Sequence, residues 1–539
     1  MSSGSTVPAG GRAVAWRPLQ RSTRLAIFVA LLATFAYLLF LLRPENRGGW
    51  LLWILTLTAE GVVAFHALGT WWTILAHDDQ PEDPGVAMRR NDLRVGSARP
   101  PTIDVFVTAC GEDDALVLRT ARAARDLQLH HRTFVLDDGR SDVLQERCLA
   151  EGIGYLRRPD RDHAKAGNVN AALARTDGEF VVVLDADHVP DPDLLLELLP
   201  AFVDADVAFV QSPQFSTNSD NLIAVGAAEA QRIFYELVCP GKNHFNAAFC
   251  VGTNVMFRRA ALDEVDGIHI GSNSEDIWTS IDLHERGWRS VYTPRVLARG
   301  LAPDDIGAFF KQQFRWASGG FEVLLRGPVF RRGRGGLTLD QRLQYLFVGT
   351  HYLTSLAMLV FMLLPATYLM FGRMPLQVDG LTWAAHYVPF FASTMLVTWL
   401  QSGGFRPAAI VTSIGAAPVH LKAFLAVLFR RRATWSVTNA TAHGAAGLWP
   451  VMAHIGLLVF NVTAIAVGLT VMQEVSTTWL ATGFAAMHVL VLGRLVAEAV
   501  RGGSARGPAT PAPTTTPSTS PSTTPEPTIA VARGAEASP

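Results

Sequence analysis

Apolar runs long enough to cross a bilayer bracket one large polar block, and this arrangement limits the fold more than any single motif. A hydrocarbon core about 30 Å thick needs about 20 residues of helix to cross it. The runs Leu25–Leu42, Trp50–Ala76, Tyr345–Phe371, Trp383–Leu400, Leu448–Met472 and Trp479–Val496 reach or approach that length. The first is too long and too leucine-rich for a cleaved signal, and no small-residue cleavage site follows it. The stretch 408–429 carries Pro418, His420 and Lys422 and ends in Arg430, Arg431 and Arg432, so it reads as an amphipathic helix lying at the interface. The expected organisation is therefore 1–24 as an N-terminal segment, 25–76 as two spans, 77–330 as the polar domain, and 331–498 as four more spans. Beyond 498 a Pro/Thr-rich tail, 499–539, lacks the apolar surface to fold and reads as disordered.

Arginine placement orients the set. Arg12, Arg17, Arg21 and Arg24 precede the first span; Arg326, Arg331, Arg332, Arg334 and Arg342 precede the third; Arg430 to Arg432 follow the fourth. With six spans, these clusters, both termini and the polar block all fall on the side that positive charge favours, the cytoplasm. A formal net charge of −1 gives no footprint for nucleic acid. The four cysteines, Cys110, Cys148, Cys239 and Cys250, form no C-x-x-C pair, which argues against a zinc or redox centre. Only four of the 46 basic residues are lysines, which draws attention to Lys165, Lys242, Lys311 and Lys422.

The first half of the polar block alternates two periodicities. Strand-like runs at 102–109, 132–136, 154–157 and 180–184 are separated by helical patterns at 114–126, 142–151 and 167–175. Such alternation predicts βαβ units and a doubly wound parallel sheet, whose ligands bind beyond the carboxyl ends of the strands. Asp137-Asp138-Gly139 follows one predicted strand and Asp185-Ala186-Asp187 another. Alone, Asp-x-Asp is a common solvated turn. After Val181-Val182-Val183-Leu184 it becomes a place where carboxylates can hold Mg²⁺ or Mn²⁺ against phosphate oxygens. Further on come Ser274-Glu275-Asp276 and Gln312-Gln313-Phe314-Arg315-Trp316. The run 309–325 reads as an amphipathic interfacial helix that breaks at Gly319-Gly320.

Taken with Lys165-Ala166-Gly167-Asn168-Val169-Asn170 and Cys250-Val251-Gly252-Thr253-Asn254, these motifs resemble those of the processive family-2 glycosyltransferases, most nearly bacterial cellulose synthase catalytic subunits and cellulose synthase-like proteins. The resemblance is dense over residues 100–325. It implies a GT-A-type α/β domain with a mixed sheet, set in a helical membrane bundle. It implies that Thr108, Glu112, Asp137, Lys165, Asp185 and Arg315 meet a UDP-sugar donor, and that Asp185 and Asp187 hold the metal. Asp276 would be the general base, beside Glu275. Trp316, Gln312, Cys250 and Gly252 would face the acceptor. Trp435, Val437 and Thr438 resemble a gating loop, 433–441, although Ala440 stands where the family has lysine. The implied reaction makes a β-glucan, cellulose or mixed-linkage, from UDP-glucose and moves it through the membrane. Hyaluronan, chitin or mannan synthesis, or transfer to a lipid, uses much of the same core. An external accessory subunit is a further expected partner. No cyclic-di-GMP domain is expected in this chain.

Overall fold

The structure, a computed structural model, describes residues 19–77, 83–219, 221–272, 274–327, 336–430, 448–471 and 475–504. The gating loop 433–441 and the tail beyond 504 lie outside the described residues. Two long helices, α1 (Arg21–Leu42) and α2 (Trp50–Leu75), lead through α3 (Pro84–Arg94) into the polar block. There β1 (Ile103–Ala109), α4 (Asp114–Arg125), β2 (Arg132–Asp137), α5 (Asp142–Ala150), β3 (Gly154–Leu156), α6 (Ala164–Leu173) and β4 (Phe180–Asp185) alternate as the sequence predicts. The second half is less regular: β5 (Val189–Pro190), α7 (Leu194–Leu198), β6 (Val207–Gln211), α8 (Leu222–Ile233), α9 (Cys239–His244), β7 (Val255–Arg258), α10 (Arg259–Asp263), α11 (Glu275–Glu285), β8 (Arg289–Tyr292) and β9 (Ala298–Arg299). Then come α12 (Ile306–Arg326), α13 (Leu339–Phe371), α14 (Gly380–Ser402), α15 (Pro407–Gly415), α16 (Ala417–Leu428), α17 (Met452–Val471) and α18 (Val475–Ser504).

Local chemistry sets several of these boundaries. Asp113 begins α4 by accepting from the Ala115 N–H at 2.9 Å, and Ser141 begins α5 by accepting from Leu144. Thr338 and Gln341 form a reciprocal capping box at the start of α13, and Gly372 ends that helix with φ of 64°. The main sheet runs β3-β2-β1-β4-β7-β6-β8. Strands β3, β2, β1 and β4 are parallel neighbours, as are β6 and β8, and β7 runs antiparallel to both β4 and β6. The sheet is therefore mixed. The parallel order expected from the alternation is broken by β7 alone, which returns from α9 rather than through a βαβ crossover. Strand order reverses about β1, the place where a doubly wound sheet opens a crevice. The register puts Thr108 opposite Asp185 and Ala109 opposite Asp137, so three strand ends meet there.

Burial follows strand alternation. Val105 and Val107 of β1 join one apolar cluster, while Phe106 joins the other on the opposite face. The buried Asp104 at the start of β1 is paired with Arg132 at 2.7 Å and Arg259 at 3.3 Å.

Helices long and apolar enough to cross a membrane are Arg21–Leu42, Trp50–Leu75, Leu339–Phe371, Pro407–Leu428, Trp449–Val471 and Ser476–Arg501. This set differs from the sequence reading in one member: 407–428 replaces 383–400. His386, Pro389 and Gln401 lower the mean hydropathy of α14, whereas α15 and α16 are short apolar pieces separated at Ala416. Contacts distinguish the two. Both ends of 407–428 touch helices of the polar block: Arg406 pairs with Glu229 of α8 at 3.2 Å, and Arg326 of α12 donates to the Val427 carbonyl at 3.0 Å. By contrast α14 runs from Gly380, beyond the far end of α13, to Ser402, whose carbonyl accepts from Arg232 of α8. Its Phe390 stacks on Tyr37 of α1 with centroids 5.0 Å apart.

The helix expected to break at Gly319-Gly320 does not. Helix α12 is continuous from Ile306 to Arg326, and the two glycines serve close approach instead. A Cβ on Gly320 would lie 2.5 Å from the Tyr352 ring, and one on Gly319 would lie 1.6 Å from Ser274 Oγ. Helices α2 and α13 use the same device, since a Cβ on Gly69 would lie 2.2 Å from the Phe347 ring. Gly69→Leu should therefore force these helices apart. Overpacking of this kind costs about 1–3 kcal/mol. The expected result is a lower thermal midpoint for the purified protein, with a smaller loss for Gly61→Leu, where nothing lies within 4 Å.

Candidate active site

The ends of β1, β2 and β4, the loop before β7, the start of α11 and the first half of α12 enclose one cavity. It has a volume of about 1980 Å³ and continues without a break between the long helices. Thr108, Glu112, Lys165, Asp185, Asp187, Gly252, Glu275, Asp276, Gln312, Arg315 and Trp316 all line it. Residues spread over more than 200 positions are thus brought to one wall. Two of the expected residues stand elsewhere. Asp137 is 2% exposed and spends its carboxylate on the turn: it accepts from Gly139 N at 2.6 Å, Ser141 N at 2.8 Å and Tyr155 OH at 2.6 Å. Cys250 faces a small recess behind the cavity, with Val169 and Phe257. Trp435, Val437 and Thr438 lie outside the described residues.

Asp138, not Asp137, lines the cavity. Arg158 grips it with two hydrogen bonds, of 2.8 and 2.7 Å, and also donates to the Asp162 and Ala164 carbonyls at 2.6 and 2.9 Å. This clamp stabilises the turn at His163 and Ala164, whose φ values are 61° and 45°. Helix α6 starts from that turn and delivers Lys165. The Lys165 ammonium forms an ion pair with Asp185 and donates to the Gly252 carbonyl at 2.7 Å. Gly252 has φ of 85°, and a Cβ there would lie 3.5 Å from Asp276 Oδ2 and 3.7 Å from Lys165 Nζ. The loop 250–254 is in turn held by Gln211, which accepts from Val251 N at 3.0 Å and donates to the Thr253 carbonyl at 2.8 Å.

Asp185, Asp187 and His188 each place a ligand atom within 4.8 Å of the others. Two carboxylates and an imidazole suit a divalent cation of the Mg²⁺ or Mn²⁺ kind. His188 was missed by the sequence reading; its position directly after Asp187 was the available signal. Its Nδ1 lies 2.8 Å from Asp187 Oδ1. Gly300 leaves room for the ring, since a Cβ there would lie 2.5 Å from it.

The electrostatics separate the carboxylates. Burial opposes charge on Asp185, yet Lys165 holds its pKa below the usual carboxylate range. Burial pushes Glu112 up, and its Oε2 accepts from Cys110 N at 2.5 Å. Glu275 and Asp276 sit side by side at the start of α11 and both line the cavity. Burial raises Asp276 well above the usual range and the Glu275 carboxylate raises it further; Arg315 and Lys165 pull the other way. A carboxyl tuned this way is an effective proton acceptor near neutral pH. The Asp276 backbone carbonyl accepts from Ser280 Oγ, which also accepts from Cys250 N at 2.8 Å, so the start of α11 and the loop 250–254 are tied together.

Residues 180–402 match the family model described as glycosyl transferase family group 2. The chain is 34% identical over 316 residues to the cellulose synthase catalytic subunit of Pseudomonas fluorescens, covering 57% of this chain and 42% of that protein. It is also 34% identical over 266 residues to the counterpart from Xanthomonas axonopodis pv. citri, covering 47% of this chain and 36% of that protein. The chain thus spans less than half the length of these curated relatives. Among solved structures, a mannosyltransferase from Pyrobaculum calidifontis in complex with GDP-Man and Mn²⁺ aligns with a TM-score of 0.46 and 16% identity, covering 70% of this chain and all of that one.

The Asp276–Glu275 pair generates a test. In any reaction where Asp276 accepts a proton, kcat/KM rises as pH climbs through its raised pKa. Glu275→Gln removes a neighbouring negative charge, lowers that pKa and moves the rising limb toward acid. A pH–rate profile of the two proteins checks this; an unmoved limb would separate Asp276 from the proton transfer.

Proposed function

We propose, from the match of residues 180–402 to the family model described as glycosyl transferase family group 2, that the chain polymerises glucose from UDP-glucose into a β-glucan, cellulose or mixed-linkage, and passes the product through its own membrane helices. The observation that carries this reading is the continuity of the cavity. One space joins the Asp185 and Asp276 pocket to the lumen between α2, α13, α14 and α18. A transferase that releases a short product into water has no use for such a passage.

In the proposed reaction the donor's uridine end meets Thr108, Glu112 and Asp138, and its diphosphate meets Lys165 and Arg315. Asp185 and Asp187, with His188 beside them, would hold Mg²⁺ or Mn²⁺, which neutralises phosphate charge when bound. Arg315 presents a fixed fork of donors suited to phosphate oxygens. Trp316 offers a flat apolar face to the terminal sugar of the acceptor, and Gln312 a hydrogen bond. Asp276 takes the proton of the acceptor hydroxyl as its oxygen attacks the anomeric carbon. The new C–O bond forms on the face opposite the diphosphate, the bond to the diphosphate oxygen breaks, and UDP leaves. The anomeric centre inverts.

The membrane placement belongs to the same proposal. Helices α1, α2, α13, α14, α17 and α18 cross the bacterial plasma membrane. Helices α8, α12, α15 and α16 lie along its cytoplasmic face, as do both termini and the catalytic domain. A periplasmic accessory subunit would receive the product.

Two measurements test the reading. Purified full-length protein in vesicles with Mg²⁺ or Mn²⁺ should turn labelled UDP-glucose into insoluble polymer that a β-1,4-specific or mixed-linkage glucanase digests, and chelation should abolish this. Label recovered in lipid, or none at all, would overturn polymer synthesis. Asp276→Asn should keep UDP affinity within about twofold, since it removes no donor contact, while losing at least about 100-fold in turnover, the usual scale for a general base. Turnover like the wild type would remove Asp276 from that role.

A further inference from the structure

Strand β4 ends at Asp185, and only Ala186, Asp187 and His188 separate it from β5. Asp185 is fixed by the sheet, through its register with Thr108 and through its own N–H, which donates to Thr253 Oγ1 at 2.9 Å. Asp187 has no ladder to hold it. Among the described residues the hydrogen bond of its carboxylate is to His188 Nδ1, at 2.8 Å, and both side chains leave the same turn. The direction of Asp187 relative to Asp185 is therefore set by the backbone between them.

Two hydrogen bonds hold that backbone. His188 N donates to the Asp185 carbonyl at 3.0 Å, and Thr120 Oγ1 of α4 donates to the Ala186 carbonyl at 2.7 Å. Thr120 is 0% exposed, in the middle of its helix. Threonines inside helices often turn the hydroxyl back on the carbonyl four residues earlier, as Thr56, Thr58 and Thr73 do in α2. Thr120 instead bonds a carbonyl 66 residues along the chain. Its neighbours Val117, Leu118, Ala121 and Ala124 share one apolar cluster with Ala186, so the bond is made where leaving either group unpaired is costly. The chain just after α4 is tied to the same segment again, since Gln128 N donates to the Pro192 carbonyl at 2.8 Å.

We propose that Thr120 is a positioning residue for the divalent cation: by holding the Ala186 carbonyl it sets the direction in which Asp187 and His188 leave the turn. The inference rests on the proposed role of Asp185 and Asp187 as cation ligands and deepens it. The physical link is the planar peptide. The Ala186 carbonyl and the Asp187 N–H belong to one rigid unit, so fixing the carbonyl fixes the Asp187 Cα as well. Without the hydroxyl, the carbonyl turns toward the nearest polar space, the cavity that Ala186 itself lines, and carries Asp187 with it. The ligand atoms of Asp185, Asp187 and His188, now within 4.8 Å of one another, then no longer converge. Thr120 itself touches neither donor nor cation; it acts through Asp187.

The test is titration of the purified full-length protein with Mn²⁺ in the presence of UDP, followed by the electron paramagnetic resonance signal of the free ion, with UDP alone as the blank. Thr120→Val removes the hydroxyl and keeps the shape, while Thr120→Ser keeps the hydroxyl. Thr133→Val removes a buried hydroxyl that has no hydrogen-bond partner among the described residues. Expected is a Mn²⁺ dissociation constant about 10–100-fold higher for Thr120→Val, the usual scale for losing a group that orients a metal ligand, with wild-type affinity in Thr120→Ser and Thr133→Val. If Thr120→Val does not fold, Thr120→Ala takes its place. Wild-type Mn²⁺ affinity in the folded variant without the hydroxyl overturns the positioning role. Equal weakening in Thr120→Ser or Thr133→Val overturns it too, because the hydroxyl on the Ala186 carbonyl is then not the cause. Mn²⁺ binding that Asp187→Asn leaves unchanged overturns the cation site itself, and the positioning role falls with it. The readout needs no polymer, so it stands apart from the identity of the product.

Discussion

The pairing of Lys165 with Asp185 is the interaction on which the rest of the site depends. Glu112, Asp185, Asp187, Glu275 and Asp276 face one cavity. Five carboxyl groups at such range repel one another unless cations or protons intervene. Lys165 supplies one cation at the centre, bonded to Asp185 and to the Gly252 carbonyl; Arg315 supplies another from α12. The partition of charge follows: Asp185 is held ionised, while Asp276 is left to the combined push of burial and Glu275. Two roles emerge from one residue type because their neighbours differ. The supporting structure exists largely to place Lys165, through the Asp138–Arg158 clamp on one side and the Gln211-held loop on the other.

That charged pocket is coupled to the long helices by contacts that leave no slack. Ser274, one residue before the Glu275-Asp276 pair, presses on Gly319 of α12, and the next glycine presses on Tyr352 of α13. Ser272 and Glu322 are hydrogen-bonded across the same junction. At a second junction the buried Lys242 donates to the Gln344 carbonyl at 2.7 Å, and Gln344 donates to Thr73 of α2 at 2.9 Å. Gly241 beside it allows the approach, since a Cβ there would lie 2.1 Å from the Thr73 carbonyl. Small residues at each crossing fix the catalytic domain on the helices rather than letting it swing on a linker.

What the sequence made legible was whatever a local pattern encodes. The Val-rich run before Asp185, the strand–helix alternation through β4 and the length of the apolar runs all depend on residues within one window. The position of Asp185, Asp187, Glu275, Asp276, Arg315 and Trp316 on one cavity followed from motif order. What was missed depends on partners far along the chain. Gly319-Gly320 reads as a break until Ser274 and Tyr352 are seen to need the space. The resemblance assigns Asp137 to the donor, yet Tyr155 and two turn amides occupy its carboxylate, and it is Asp138 that lines the cavity. The direction of β7 is equally invisible, since nothing in Val255–Arg258 records that the chain returns from α9.

The assignment of 407–428 shows why composition alone is a weak guide at a membrane. Both that segment and α14 are apolar, and length with mean hydropathy admits 407–428 as a candidate span and leaves out α14; their contacts differ in the opposite sense. A helix that crosses must leave the domain and end far from it. Arg406 and Val427, at opposite ends of this two-piece segment, bind α8 and α12. Helix α14 does the opposite, with Ser402 on α8 and Tyr387 among the far residues of α1. Its lower hydropathy then has a reason: polar and aromatic groups such as Thr394, Trp383 and Tyr387 face the cavity rather than lipid. A helix that turns such groups inward is a poorer match to a lipid-facing profile.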